Sequence, residues 1–351
     1  MRFRELDGLR GVAALSVVLY HFTDEAASRY PDDPSPLISF PAGEYGVQLF
    51  FLISGFVILM SAGTARVPSD FTISRATRLY PAYWVSLAIA VVVASWANVP
   101  DVPLDPNVVT VNLTMVQRWF NVPNVLDVYW TLAVEMQFYV LLFLLLLLTR
   151  CRLSDRLMTT VAASWLFASL TVAIWAFPAS HDISPQFVST PVKTILNVTL
   201  AAYGPLFCTG MLAFRSRRDG SVHWLMLPAA CIATLTTGLL QTWSAAAWVG
   251  GVCLVFLVVA MRPRTRLLTI FPLQWLGRIS YSLYLLHAAI GYALIHALWP
   301  FLGRPAAVLV AVAASLGLSW VVYEVVEKRM SSWLRGTLVQ LRDQRAAQRT
   351  P

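Results

Sequence analysis

The chain has 351 residues, of which 58% are hydrophobic and only 13% charged, with a mean hydropathy of +0.64. A water-soluble domain carries about one quarter charged residues, so this balance excludes a soluble globular protein and indicates an integral membrane protein. The net charge of +8 does not imply a nucleic-acid partner, because in a membrane chain the placement of basic residues reports orientation.

Segments able to cross ~30 Å of hydrocarbon at ~1.5 Å per residue are read at 7–23, 44–62, 79–97, 130–149, 157–177, 195–214, 222–240, 242–261, 280–298 and 305–325. The expected fold is an all-α polytopic bundle of ten transmembrane helices with both termini cytoplasmic. In that orientation 21 of the 26 Lys and Arg lie on the cytoplasmic side, and only Arg29, Arg118, Lys193 and Arg304 lie outside, as the positive-inside bias requires. The remaining one, Arg10, is inside the first helix. Glu5 and Asp7 break the basic start of a signal peptide, so that helix is expected to be retained. Cys151, Cys208, Cys231 and Cys253 lack metal-ligand spacing and read as apolar packers, and no metal is expected. One membrane domain is expected over 1–327, followed by a basic cytoplasmic tail over 328–351 near anionic headgroups.

In chain order, LDGLRGVAALSVVLYHF carries Arg10 and His21 eleven residues apart. At ~100° per residue they share one face, ~16 Å apart along the axis, and ionisable groups at that depth need a partner, a watery cavity or a function. The second span, EYGVQLFFLISGFVIL, places Gln48 near the outer level and Ser54-Gly55 near mid-membrane, where small residues allow close packing. No base flanks Ser54 in sequence, so packing is favoured over a nucleophilic role. SRATRLYPAYW sets Arg75 and Arg78 at i, i+3 on the cytoplasmic side; the pair suits phosphate binding or plain topological anchoring. The outer connection 98–129, with four prolines, reads as a lid or re-entrant element over a pocket, or as a surface loop. VYWTLAVEMQFYVLLF puts Glu135 ~9 Å below the outer interface. His21, counted from the opposite end, reaches nearly the same depth, so the two are expected to meet, as an acid/base site or as a structural pair. In LGRISYSLYLLH, Ser280, Tyr284 and His287 recur on one face, lining a cavity or bonded among Tyr and Ser hydroxyls.

Taken in order, LDGLRGVAALSVVLYHF, GVQLFFLISGF, RATRLYPAYW, YWTLAVEMQFY, LGRISYSLYLLH and YEVVEK resemble acyltransferase family 3, the integral membrane O-acyltransferases that modify bacterial surface glycans and some secondary metabolites. The resemblance covers nearly the whole membrane domain. It implies a location in the inner (plasma) membrane, acyl-CoA, usually acetyl-CoA, as cytoplasmic co-substrate, and a carbohydrate or glycoconjugate hydroxyl as acceptor. It also implies that Arg10 and His21 are essential, and it matches Arg75 and Arg78 to the family's Arg-x-x-Arg pair and Glu135, with Trp130, Phe138 and Tyr139, to its Trp-x-x-x-x-Glu-x-x-Phe-Tyr motif. Two departures stand out: Gln48 where relatives commonly carry an acid, and Glu327 followed by Lys328 and Arg329 instead of a Glu-x-Pro ending. The extracytoplasmic hydrolase-like domain of some relatives is not expected in this chain. The resulting expectation is O-acetylation of cell-surface polysaccharide or a glycosylated metabolite, by direct transfer. His21 is the expected base, Glu135 its orienting group, Arg75 and Arg78 the phosphate ligands, and Arg10 lines the donor path. Gln48, Ser54, Trp130, Tyr139, Tyr284 and His287 are pocket candidates. A transporter or flippase is the alternative reading, since it too would bury charges at mid-membrane.

Overall fold

A computed structural model describes residues 3–97, 99–181, 190–262 and 265–348; Arg2, Asn98, Arg264 and Arg349, and the side chains of His181 and Lys193, lie outside the described set. Among the described residues every regular element is helical. The helix α1 (Arg4–Tyr20) runs into a π-helical turn over His21–Glu25 and a short α2 (Ala26–Arg29). It is followed by α3 (Gly46–Ala62), α4 (Pro68–Ala97), α5 (Pro106–Asn112), α6 (Trp130–Leu148), α7 (Asp155–His181) and α8 (Thr190–Thr199). The second half comprises α9 (Gly204–Asp219), α10 (Met226–Leu240), α11 (Trp243–Met261), α12 (Phe271–Leu302), α13 (Arg304–Val322) and α14 (Ser331–Ala347). Each of the ten expected spans overlaps a helix. Eight helical runs are long and apolar enough to cross a membrane by length and composition. The charged α1 and the 15-residue α10 are the two expected spans outside that set.

Helix ends differ from expectation for a physical reason. Hydropathy stops at the first charges, whereas arginine propagates a helix well, so α4 and α12 begin at Pro68 and Phe271, not near 79 and 280. Arg75 and Arg78 are therefore in the body of α4. The expected span 195–214 is broken between α8 and α9, where Leu200 has φ +53° and Pro205 opens the next helix; the Trp165 indole donates to the Thr199 carbonyl at 3.0 Å across the break. The helical path continues through a second π-turn, Tyr323–Met330, into α14. Arg342 of α14 pairs with Asp70 at the start of α4, so the residues after 327 are docked on the bundle.

Two glycine seams set the helix crossings. A Cβ on Gly277 of α12 would sit 2.0 Å from the Asp7 carbonyl oxygen of α1, and one on Gly210 of α9 would sit 2.0 Å from that of Leu52 in α3. Only glycine lets backbones approach so closely, the usual means of packing helices where lipid gives no hydrophobic drive. The α1–α12 seam fixes which helix His21 faces.

The connection between α4 and α6 re-enters the bundle. The Tyr83 hydroxyl donates to the Asn112 carbonyl at 2.7 Å, the Tyr80 hydroxyl to that of Thr114 at 2.8 Å and the Trp84 indole to that of Leu113 at 3.0 Å. These donors lie roughly 20 Å along α4 from its end at Ala97, so the loop folds back along the helix instead of standing off it. The buried Asn112 ties the return strand, donating to the Pro123 carbonyl at 2.9 Å and accepting from the Val125 amide at 3.2 Å. Buried backbone at membrane depth requires such internal partners.

Candidate active site

Two adjoining clefts open between α1, α3, α4, α6 and α12, with about 520 and 330 Å³ of unfilled space, open solvent included. Arg10, Ser54, Glu135 and Tyr281 line both and form the junction. The lower cleft adds Arg75, Arg78 and Tyr139. The upper one adds Phe50, Phe51, Thr131 and Tyr284 and is more apolar.

At the junction the Glu135 carboxylate accepts hydrogen bonds from the Ser54 hydroxyl and the Tyr139 hydroxyl, both at 2.5 Å and both on Oε1. The pair of donors leaves the other carboxylate oxygen free to face the guanidinium groups. Arg10 feels Glu135, Asp7 and Arg78 electrostatically, and its Nε is buried without a hydrogen-bond partner. Arg75 donates to the Ser61 hydroxyl at 3.0 Å, and its Nε is likewise unpaired. Three guanidinium groups around one or two carboxylates leave an excess of forked donors, the arrangement that receives phosphate or carboxylate oxygens. The second carboxylate is Glu327, in the π-turn after α13. It accepts from the Ser282 amide at 3.1 Å and from the Ser282 hydroxyl, and it acts on Arg78 and Arg10.

His21 is elsewhere. Its Nδ1 lies 2.8 Å from the Val17 carbonyl oxygen. A carbonyl can only accept, so Nδ1 carries the hydrogen and the neutral ring keeps its lone pair on Nε2. The ring packs edge-on against that of His287, centroids 4.9 Å apart, and the charged groups acting on it are Glu25, Arg29 and Asp127. His287 repeats the arrangement: Nδ1 lies 3.0 Å from the Leu283 carbonyl oxygen, and Nε2 is fully buried with no partner. His21 opens the π-helical turn, an irregularity that often marks functional positions.

Several expectations are therefore corrected. No hydrogen bond joins His21 to Glu135; the group that fixes the His21 tautomer is the Val17 carbonyl, and Glu135 belongs to the arginine cluster. Equal depth did not imply contact: the His21 ring turns to His287 of α12, whereas Glu135 is held by Ser54 of α3 and Tyr139 of its own helix. His287 bonds a backbone carbonyl, not Tyr or Ser hydroxyls. The close packing assigned to Ser54 is performed by Gly55, whose position a Cβ would bring 2.2 Å from the Phe207 carbonyl oxygen, whereas Ser54 lines both clefts. Gln48 lines neither, and its Oε1 is buried unpaired. Arg10, Arg75 and Arg78 meet Glu135 and Tyr139 in the lower cleft, where Glu135 had been expected beside His21. Tyr284 lines the upper cleft, its hydroxyl donating to the Val128 carbonyl at 3.0 Å. Trp130 stacks near Tyr203 and Phe51. Tyr281, adjacent to Ser280, carried no signal of its own, and Glu327 stood out in the sequence only as part of the terminal YEVVEK motif, with no site role expected for it.

Residues 3–324 match the model of a family described as an acyltransferase domain. Among curated proteins, the chain is 28% identical over 194 residues to an acyltransferase of Streptomyces mycarofaciens, covering 53% of this chain and 50% of that one. It is 23% identical over 314 residues to a peptidoglycan O-acetyltransferase of Listeria monocytogenes, 80% of this chain and 48% of the relative. Nodulation protein 10 of Rhizobium leguminosarum is 25% identical over 324 residues, 80% of each. The chain thus spans about half the length of the first two. No solved structure matches.

Proposed function

The chain belongs to acyltransferase family 3, and from that premise we propose that it is a multi-pass membrane O-acyltransferase that carries an acyl group, acetyl by preference, from cytoplasmic acyl-CoA to a hydroxyl of a carbohydrate or glycoconjugate on the outer side. The single observation that carries this reading is the pair of joined clefts: a cationic one lined by Arg75, Arg78 and Arg10 and a less polar one beyond Glu135. The family resemblance supports the inner (plasma) membrane as its location, and the distribution of basic residues supports ten crossings with both termini in the cytoplasm. Family membership supports acyl transfer over the transporter reading.

In this scheme Arg75 and Arg78 hold the nucleotide phosphates, with Arg10 between them and the reacting thioester. Tyr139 and Ser54 hold the Glu135 carboxylate so that it spaces the guanidinium groups. His21 accepts the acceptor's proton at Nε2 as the hydroxyl oxygen attacks the acyl carbon, and the coenzyme leaves as the thiolate. The likeness to the Listeria peptidoglycan O-acetyltransferase supports O-acetylation of a surface glycan. The test is acyl-CoA binding by the purified protein and by the Arg75→Gln/Arg78→Gln variant. Each lost charge-assisted bond is worth about 1.5–3 kcal/mol, so affinity should fall at least ~10-fold with the melting temperature held. Unchanged affinity would return both arginines to topology.

A further inference from the structure

Above the upper cleft the structure holds a larger, polar recess of about 870 Å³, lined by Arg118, Asn121, Asn124, Asn197 and Trp130. It lies between the return limb of the re-entrant segment, the start of α6 and the last turns of α8. A buried guanidinium is costly unless a partner, water or a ligand satisfies it. Among the described residues no hydrogen bond engages the side chains of Arg118, Asn121 or Asn197. The Arg118 guanidinium lies 5.9 Å from the Tyr203 ring centre, and its Nε is buried unpaired. Asn124 is the exception: its Oδ1 accepts from Gln117 at 2.9 Å, leaving its NH₂ free to donate into the recess.

The recess is preformed. Asn112 and the three aromatic donors of α4 strap its loop wall in place, and Asn121 holds the left-handed conformation (φ +53°) that asparagine tolerates. Its floor is aromatic: the Trp130 ring lies 5.2 Å from Tyr203 and 6.1 Å from Phe51, which itself lines the upper cleft. The aromatic floor of the recess thus adjoins a wall of the upper cleft.

We propose that this recess is the acceptor-docking site and that its ligand is an oligosaccharide bearing carbonyl or carboxylate substituents, such as acetamido or uronate groups. The inference rests on the acyl-transfer reading above. The chemistry is that of sugar recognition: planar amides donate and accept toward neighbouring hydroxyls, the indole supplies an apolar surface for the C–H face of a pyranose, and the unengaged Arg118 fork requires acceptor oxygens. A wholly neutral hexose chain offers hydroxyls alone and leaves the charge of Arg118 unanswered.

The experiment is calorimetric titration of the full chain in nanodiscs with chitotetraose (acetamido), tetragalacturonate (carboxylate) and maltotetraose (neither). The expected result is binding of chitotetraose or tetragalacturonate at least ~10-fold tighter than maltotetraose, and loss of that preference in Arg118→Met, which keeps the stem but not the fork. Asn121→Gly, which removes an amide without straining the positive φ, should weaken the same ligand several-fold, and both variants should melt as the wild type does. Absence of binding by all three, equal binding of maltotetraose, or unchanged affinity in both variants overturns the proposal. Acetyl-CoA titration of the same samples separates the two claims: donor binding with no saccharide effect rejects the docking site alone, whereas no donor binding rejects the acyl-transfer reading.

Discussion

Glu135 shows what a single side chain does here. Its carboxylate receives two hydroxyl donors and faces three guanidinium groups, so Glu135→Gln keeps the hydrogen-bond acceptor while removing the charge. Transfer should fall at least ~10-fold while acyl-CoA affinity is kept or rises, because the cleft becomes more positive. Steady-state kinetics beside a binding isotherm measure this, and wild-type transfer would remove Glu135 from the machinery. The residue was legible as a charge buried in an apolar run. Its partner was not, since counting residues along a helix gives height but not the neighbour on each face. Ser54 was undervalued for the same reason: its carboxylate partner is 81 positions away in sequence.

At the scale of elements, the apolar runs gave the helices, while extensions past the hydrocarbon and the break at Leu200 escaped a hydropathy reading. Charged helix formers extend a helix without extending its hydropathy, and a single positive φ has no periodic signature. The re-entrant segment was half legible, in its length and prolines, but its course depends on the carbonyls that Tyr80, Tyr83 and Trp84 happen to reach. Glycine positions carry the crossings. Gly277→Ala would press a methyl onto the α1 backbone, and overpacking of this kind costs about 1–3 kcal/mol. Gly317, with nothing within 4 Å of its Cβ position, is the control, and Gly317→Ala should stay within ~0.5 kcal/mol. Thermal melting of the two variants in one detergent checks the contrast; equal melting would dissolve the argument that the α1–α12 seam is set by Gly277.

Across the whole molecule, the arginine cluster and His21 occupy different parts of one helical frame, with α1 carrying Arg10 at one end and His21 at the π-turn. The arrangement separates donor binding from proton removal, and this separation is the central claim. His21→Ala tests it most directly, with transfer, acyl-CoA affinity and melting temperature measured on the same preparation. Losing a general base costs ~100- to 10,000-fold, and neither the cleft arginines nor the glycine seam touches the imidazole. The account predicts a loss of transfer in that range, with acyl-CoA affinity and melting temperature close to wild type. A folded, donor-binding His21→Ala protein that turns over near the wild-type rate would contradict it.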